Sequence, residues 1–251
     1  MMRRIIIWTV MLLTCALTAC HQHQNELLVM TYNVRHCAGM DLVVDYDRTA
    51  EVIRREQPDV VALQELDSMT GRSGYCYQLD ELASRTGYKP IFGSAIDYDG
   101  GKYGVGILVK EAPLSTKCIP LPGEEPRMLL VVELKEYVMA CTHLDLDEEA
   151  RLASVPLIVE EAQRWRKPFV LAGDWNDTPG SVLLQEMEKY FTILSVSEPS
   201  YPADVPVDCL DYVALFKDQE AEVMESVVIE EPEASDHRPV MVRASWAFTR
   251  N

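Results

Sequence analysis

Two short polar blocks in this chain carry residue types that could act together. One reads Leu171-Ala172-Gly173-Asp174-Trp175-Asn176-Asp177-Thr178-Pro179, the other Ser235-Asp236-His237-Arg238-Pro239-Val240. Each sets a carboxylate beside an amide or an imidazole, next to residues that favour turns. Carboxylates hold a divalent cation, a neutral amide holds a bound anion, and an imidazole moves a proton. Hydrolysis of a phosphate ester needs those three capacities at one point. Asp174 with Asn176, and Asp236 with His237, supply all of them.

Four more blocks extend the set: Thr31-Tyr32-Asn33-Val34, Gln64-Glu65-Leu66-Asp67, Thr142-His143-Leu144-Asp145 and Leu210-Asp211-Tyr212-Val213. Each reads as a strand end with a polar residue that a buried strand would not need. In this order and spelling, the six blocks resemble the endonuclease/exonuclease/phosphatase superfamily over about residues 26–245. The resemblance implies an α/β chain folded as a four-layer sandwich, two packed mixed β-sheets flanked by helices. It also implies roles. Asp174 orients or deprotonates the attacking water, and Asn176 holds the phosphate. His143 contacts the phosphate or the leaving-group oxygen, and His237 contacts the phosphate. Asp211 pairs with His237 and fixes its tautomer. Glu65 ligates Mg²⁺ (or Mn²⁺), with Asn33 beside it and Asp236 at the metal site. Arg72 and Tyr103 resemble positions in family loops beside the site, and His36 follows the Asn33 block. These three are candidate substrate contacts, with a turn role for His36 equally open. Trp175 departs from the family, which usually has Phe or Leu there. Neither a long basic or aromatic insertion nor a hydrophobic hairpin is evident.

Electrostatics agrees with such a site. Glu65, Asp174 and Asp236 brought together alone would repel one another and an anionic substrate, and a hard cation with oxygen ligands reverses that. Taken singly, each residue also has a plain structural reading. Asn33 and Asn176 could be turn residues, Glu65 a solvated strand terminus, and His143 a satisfied strand histidine. Asp177, before Pro179 and Gly180, reads as a helix cap. Arg164, Arg166 and Lys167 look like a nucleic-acid patch but read better as a helix C-terminus, where cations offset the dipole.

The 251 residues suit one large α/β domain, and 48% are hydrophobic, enough for an ordinary core. With 40 acidic against 23 basic residues, the net charge is -17 and the pI about 4.7. Such a surface disfavours broad nucleic-acid affinity. Arg3 and Arg4 precede an apolar run, Ile5 to Leu17, and the run ends in small residues, which reads as a secretory signal. Leu17-Thr18-Ala19-Cys20 resembles the lipobox of bacterial lipoproteins, which implies acylation of Cys20. Residues 1–19 are then the signal peptide, 20–25 a tether and 26–251 the catalytic domain. Of the seven cysteines, Cys37, Cys76, Cys118, Cys141 and Cys209 stay beyond the lipid site; an odd number cannot all pair internally, and most read as small buried hydrophobes.

Strand candidates are Glu26 to Asn33, Asp59 to Gln64, Tyr103 to Val109, Leu114 to Leu121, Met128 to Leu134, Tyr137 to Thr142, Phe169 to Ala172, Asp211 to Leu215, Val223 to Val228 and Val240 to Ala244. The four from Tyr103 to Thr142 suggest antiparallel neighbours. Tyr46, Ala50, Ile53 and Gln57 have helical spacing up to Pro58, and Leu79, Leu82 and Ala83 mark a helix ending at Gly87. Leu152, Val155, Ile158, Val159 and Ala162 line one helix face, with Asp145 and Glu148 placed like a capping box. The expected function is Mg²⁺-dependent hydrolysis of small or lipid-linked phosphoesters by a monomeric phosphodiesterase or phosphatase. Its membrane partner is the bilayer holding its lipid anchor, in a bacterial envelope and facing periplasm or exterior. A nuclease acting on extracellular nucleic acid is the second reading, and a non-catalytic binding lipoprotein the third.

Overall fold

A computed structural model describes residues 25–246. The expected signal peptide, Cys20 and most of the tether lie outside the described residues. Two six-stranded mixed sheets form the centre. In chain order the first sheet takes β1 (Asn25–Asn33), β2 (Val60–Ser68), β3 (Lys89–Tyr98), β4 (Gly101–Val109), β11 (Ala221–Val228) and β12 (Val240–Trp246). The second takes β5 (Ser115–Leu121), β6 (Arg127–Glu133), β7 (Val138–His143), β8 (Phe169–Asp174), β9 (Phe191–Ile193) and β10 (Asp211–Phe216). Their spatial orders are β11-β12-β1-β2-β4-β3 and β5-β6-β7-β8-β10-β9.

Side-chain alternation along the strands builds four layers. On β1, Leu27 and Val29 point between the sheets, where they meet Leu130, Val132, Met139 and Val170. Leu28, Met30 and Tyr32 point the other way, towards α1 (Tyr46–Glu56) and α2 (Gln78–Thr86). The second sheet repeats this arrangement. Val170 and Ala172 face inward, while Phe169 and Leu171 pack under α3 (Glu148–Ala162) and α4 (Val182–Met187). The four-layer sandwich expected from the resemblance is therefore present. Among the described residues no helix is long and apolar enough to cross a membrane.

Strand direction gathers the six blocks at one pole. β1 and β2 are parallel, as are β7 and β8, so their C-terminal ends lie together within each sheet. β12 runs antiparallel to β1, and β10 antiparallel to β8, which brings their N-terminal ends to the same pole. Two of the six blocks therefore open strands. Asp211 begins β10 opposite Asp174, and Ser235 to Pro239 leads into β12.

Several local expectations change. β4 and β5 fall in different sheets, so the antiparallel run holds only from β5 to β7. The N-cap of α3 is Asp147, whose carboxylate accepts from Ala150 N, and Asp145 instead accepts from Asp147 N. Asp177 caps no helix. It accepts from Arg151 and from Thr178 N, and Ser181 caps α4. Arg164 and Lys167 lie beyond the last turn of α3, in ion pairs with Glu160, Glu161 and Glu133. All five cysteines of the described residues are free, with Cys37, Cys141 and Cys209 buried.

Candidate active site

Inward-facing positions end in polar groups at the pole. Along β1, Leu27 and Val29 are followed on the same face by Asn33. Along β8, Val170 and Ala172 are followed by Asp174; along β7, Met139 and Cys141 by His143; and along β10, Asp211 precedes Val213 and Leu215. The site is thus the polar end of the inter-sheet core. The rigid pleat of each strand places its side chain.

Glu65 needs a special device. Between Leu63 and Leu66 the β2–β4 register slips by one residue, and Glu65 takes a left-handed backbone with φ 60°. A bulge of this kind re-aims a side chain that the pleat alone would misplace. Here it turns the Glu65 carboxylate towards Asn33, whose Nδ2 donates to Glu65 Oε1 and to Asp174 Oδ2, both at 3.0 Å. That amide ties the two sheets together across the site. Its Oδ1 accepts from Arg35 N at 3.1 Å.

Asp174 is the hub. Its Oδ1 accepts from Asn176 N at 2.9 Å, and its Oδ2 lies 3.6 Å from Nε2 of both His143 and His237. Asn176 has φ 52°, and its Nδ2 donates to Leu144 O at 2.8 Å, which leaves a second amide hydrogen free to meet an anion. His237 Nδ1 lies 2.9 Å from Asp211 Oδ2, which also accepts from Ser200 Oγ at 2.6 Å. The Tyr201 ring packs against the His237 ring, 4.7 Å between centroids. Asp236 is half-buried beside Arg35, whose Nε lies 3.3 Å from Asp236 Oδ2.

The two histidines sit in opposite fields. Burial would lower the pKa of His237, but the adjacent carboxylates of Asp211 and Asp174 push it up to about 10. Burial also lowers His143, and with Arg127 and His237 nearby its pKa falls to about 4 despite the pull of Asp174. Glu65 is raised, first by burial and then by Asp236 and Asp174, against the hydrogen bond from Asn33.

Burial and two neighbouring carboxylates act on Glu65, and the Asn33 amide and the His237 cation only partly offset them. Glu65 and Asp236 offer hard oxygen donors, and the neighbouring Asn33 is an amide, a donor set suited to a hard divalent cation. Asp174, Asp211 and His237 also place possible ligand atoms within 4.8 Å of one another. In that group, however, Asp211 Oδ2 and His237 Nδ1 already bind each other, which suits proton handling better than metal ligation.

The structure brings Asn33, Glu65, His143, Asp174, Asn176, Asp211, Asp236 and His237 together, and sets the remaining three candidates at the rim. Arg72 is held by Asp67 (Nη2 to Oδ1, 2.8 Å) and lies over Tyr98, 4.5 Å from the ring centroid, and Tyr103, at 5.6 Å. Burial and the nearby Glu65 raise the Tyr103 phenol. His36 sits in a left-handed turn, φ 47°, its carbonyl accepting from Gln78 Nε2. Sequence reasoning missed Arg35, Arg127, Ser200 and Tyr201. Arg35 adjoins the Asn33 block, and Arg127 begins a strand with a charge among apolar residues. Ser200 and Tyr201 carry no comparable signal.

No sequence among the curated proteins matches the chain. Solved structures of the same fold do. One from Beutenbergia cavernae, described as an endonuclease/exonuclease/phosphatase, is 24% identical with a TM-score of 0.75, covering 88% of this chain and 72% of that one. One from Bacteroides vulgatus, described in the same words, is 17% identical with a TM-score of 0.74, covering 89% and 100%. A mannosyl-6-phosphatase of Bacteroides thetaiotaomicron is 17% identical with a TM-score of 0.72, covering 87% and 99%. The profile of the "Endonuclease/Exonuclease/phosphatase family" matches residues 30–237, a span that takes in every polar side chain gathered at the pole. With fold, site and profile in agreement, the chain belongs to the endonuclease/exonuclease/phosphatase family.

Proposed function

We propose that the protein is a divalent-metal-dependent phosphoester hydrolase acting on small, water-soluble phosphoesters at the bacterial cell envelope, as a lipid-anchored monomer. The observation that carries this reading is the geometry around Asp174. One carboxylate oxygen faces Nε2 of two histidines and the amide of Asn33, while the bulge turns Glu65 to the same point. Glu65 and Asp236, with Asn33 beside them, would hold Mg²⁺ or Mn²⁺, which when bound offsets charge on the phosphate and on the transition state.

The protein groups divide the remaining work. Asp174 stands where it can orient an attacking water and accept its proton. Asn176 has an amide hydrogen free for a phosphate oxygen, and His143 offers Nε2 to the same group. Asp211 holds His237 through Nδ1, so that Nε2 of a cationic ring points into the site. A charged donor aimed at developing negative charge is worth more in a buried site than in water.

Charge and strand direction support the choice of substrate. An excess of 17 acidic groups opposes approach of a long polyanion, whereas a single phosphoester needs only the local donors. Asn25 and Asn33 sit at opposite ends of β1, about 26 Å apart for a strand of that length. An anchor at Cys20, five residues before Asn25, reaches at most about 18 Å. With β1 standing upright on the membrane, the catalytic pole would lie on the side away from the bilayer that holds the anchor. The similarity to a mannosyl-6-phosphatase fits a soluble substrate.

The test is a substrate panel at near-physiological salt and matched phosphate concentration. It contains sugar phosphates, an aryl phosphodiester, phosphatidylinositol and sphingomyelin vesicles, RNA and plasmid DNA. Soluble phosphoesters are expected to turn over fastest. Plasmid DNA as the best substrate by a wide margin would replace this reading with a nuclease, and vesicle lipid as the best would overturn the choice of a soluble substrate.

A further inference from the structure

The two ring nitrogens of His143 meet different partners. Nε2 faces Asp174 Oδ2 at 3.6 Å, and Nδ1 lies 3.3 Å from Nη1 of Arg127. A guanidinium donates hydrogen bonds and accepts none. Nδ1 must therefore be the accepting nitrogen, which leaves the ring proton on Nε2.

Arg127 is buried among three polar neighbours. It begins β6 and is only 8% exposed. Its Nη1 also meets Glu125 Oε1 at 2.9 Å, and its Nε lies 3.6 Å from Asp145 Oδ2. Nη1 carries two hydrogens, so Glu125 and His143 can be served together. The loop between β5 and β6 leaves little slack around this cluster. A Cβ on Gly123 would fall 2.4 Å from Asp145 Oδ2.

We infer that Arg127 is a positioning residue that holds His143 as the Nε2–H tautomer, restricting His143 to hydrogen-bond donation towards a phosphoester oxygen and leaving proton transfer to His237 and Asp174. A carboxylate at Nδ1 would have the opposite effect, drawing the ring proton to Nδ1 and raising the basicity of Nε2. Asp211 does this for His237. One site thus holds two imidazoles with opposite partners and separate duties. Only the kinetic arm of the test rests on the proposed hydrolytic function, because the tautomer is a property of the folded chain.

The direct test is long-range ¹H–¹⁵N spectroscopy of the imidazoles in the ¹⁵N-labelled full-length protein at neutral pH. His143 is expected to show a protonated Nε2 and an unprotonated Nδ1. A proton on Nδ1, or on both nitrogens, would overturn the inference. Two substitutions extend it. Arg127→Met removes the donor, and kcat should fall about 10²-fold, the scale of a misplaced catalytic group, with KM nearly unchanged and the tautomer signature blurred. Arg127→Gln keeps an N–H donor without the charge and should recover part of kcat together with the Nε2–H signature. If the Met variant does not fold, the wild-type spectrum and the Gln variant still decide. Wild-type kcat with an unchanged signature in Arg127→Met would also overturn the inference. Absence of hydrolysis in the wild type would sink the functional reading alone, leaving the spectrum to judge the tautomer.

Discussion

Replacing Asp211 by Asn removes one charge from the buried pair and little else. The Asn amide is nearly isosteric, and its oxygen can still accept from His237 Nδ1, now 2.9 Å from the carboxylate. At that separation two unit charges attract by about 6 kcal/mol for an effective dielectric of about 20. The rise of the His237 pKa from its ordinary 6.5 to about 10 corresponds to about 5 kcal/mol of preference for the imidazolium. Burial is the largest single influence and acts in the other direction, and Asp211 overcomes it together with Asp174 and Asp236, so the Asp211 charge is the largest part of the sum that favours the cation. Without it, burial should win and His237 should become neutral near pH 7. Because the folded pKa is raised, the pair's stabilisation is fully present below about 6.5 and is lost as pH rises through about 10. Asp211→Asn should therefore melt well below the wild type at pH 6, by an amount reflecting a few kcal/mol, and the gap should narrow by pH 10.5. Turnover of an aryl phosphoester at pH 7 should fall by about 10²–10⁴-fold. Calorimetry across that pH range, with steady-state kinetics on the same preparations, provides the assay. A variant with wild-type kcat, or a melting gap constant from pH 6 to 10.5, would refute this.

Other perturbations probe separate parts. Glu65→Gln should raise the Mg²⁺ concentration needed for half-maximal turnover with little change in melting temperature, measured by metal titration; an unchanged requirement would remove Glu65 from the cation site. Gly173→Ala should destabilise by about 1–3 kcal/mol or more on chemical denaturation, since a Cβ there would lie 1.9 Å from Thr142 O in the neighbouring strand β7. A wild-type midpoint would mean that β7 and β8 can part. If Cys20 is acylated, the wild type should partition into detergent and Cys20→Ser should not; equal partitioning would show the cysteine to be incidental.

The six blocks were readable in the sequence because each sets a polar side chain against a buried run at a strand end. The inward face followed from alternation: Val170, Ala172 and then Asp174 differ in chemistry and share one side of β8. Other features leave no such trace. β3 is an edge strand, mostly part-exposed, with Pro90 and Gly93 inside it, so it lacks the apolar run that marks β2 or β6. α4 and β9, of six and three residues, are too short to show a period. The chain crosses from one sheet to the other between Val109 and Ser115, and sheet membership there is set by long-range pairing. Asp145 and Asp147 are equally good caps by composition. Backbone geometry selects Asp147, while Asp145 faces Arg127. Arg127 gains its place at the site through its contact with His143 on the neighbouring strand, a pairing that local sequence does not encode.

Metal dependence is tested by hydrolysis of a soluble aryl phosphoester by the purified protein after exhaustive chelation, followed by stepwise return of Mg²⁺ or Mn²⁺. The expected result is loss of turnover on chelation and its saturable recovery with either ion. Turnover that survives chelation undiminished would contradict a cation held by Glu65 and Asp236, and with it the proposed mechanism.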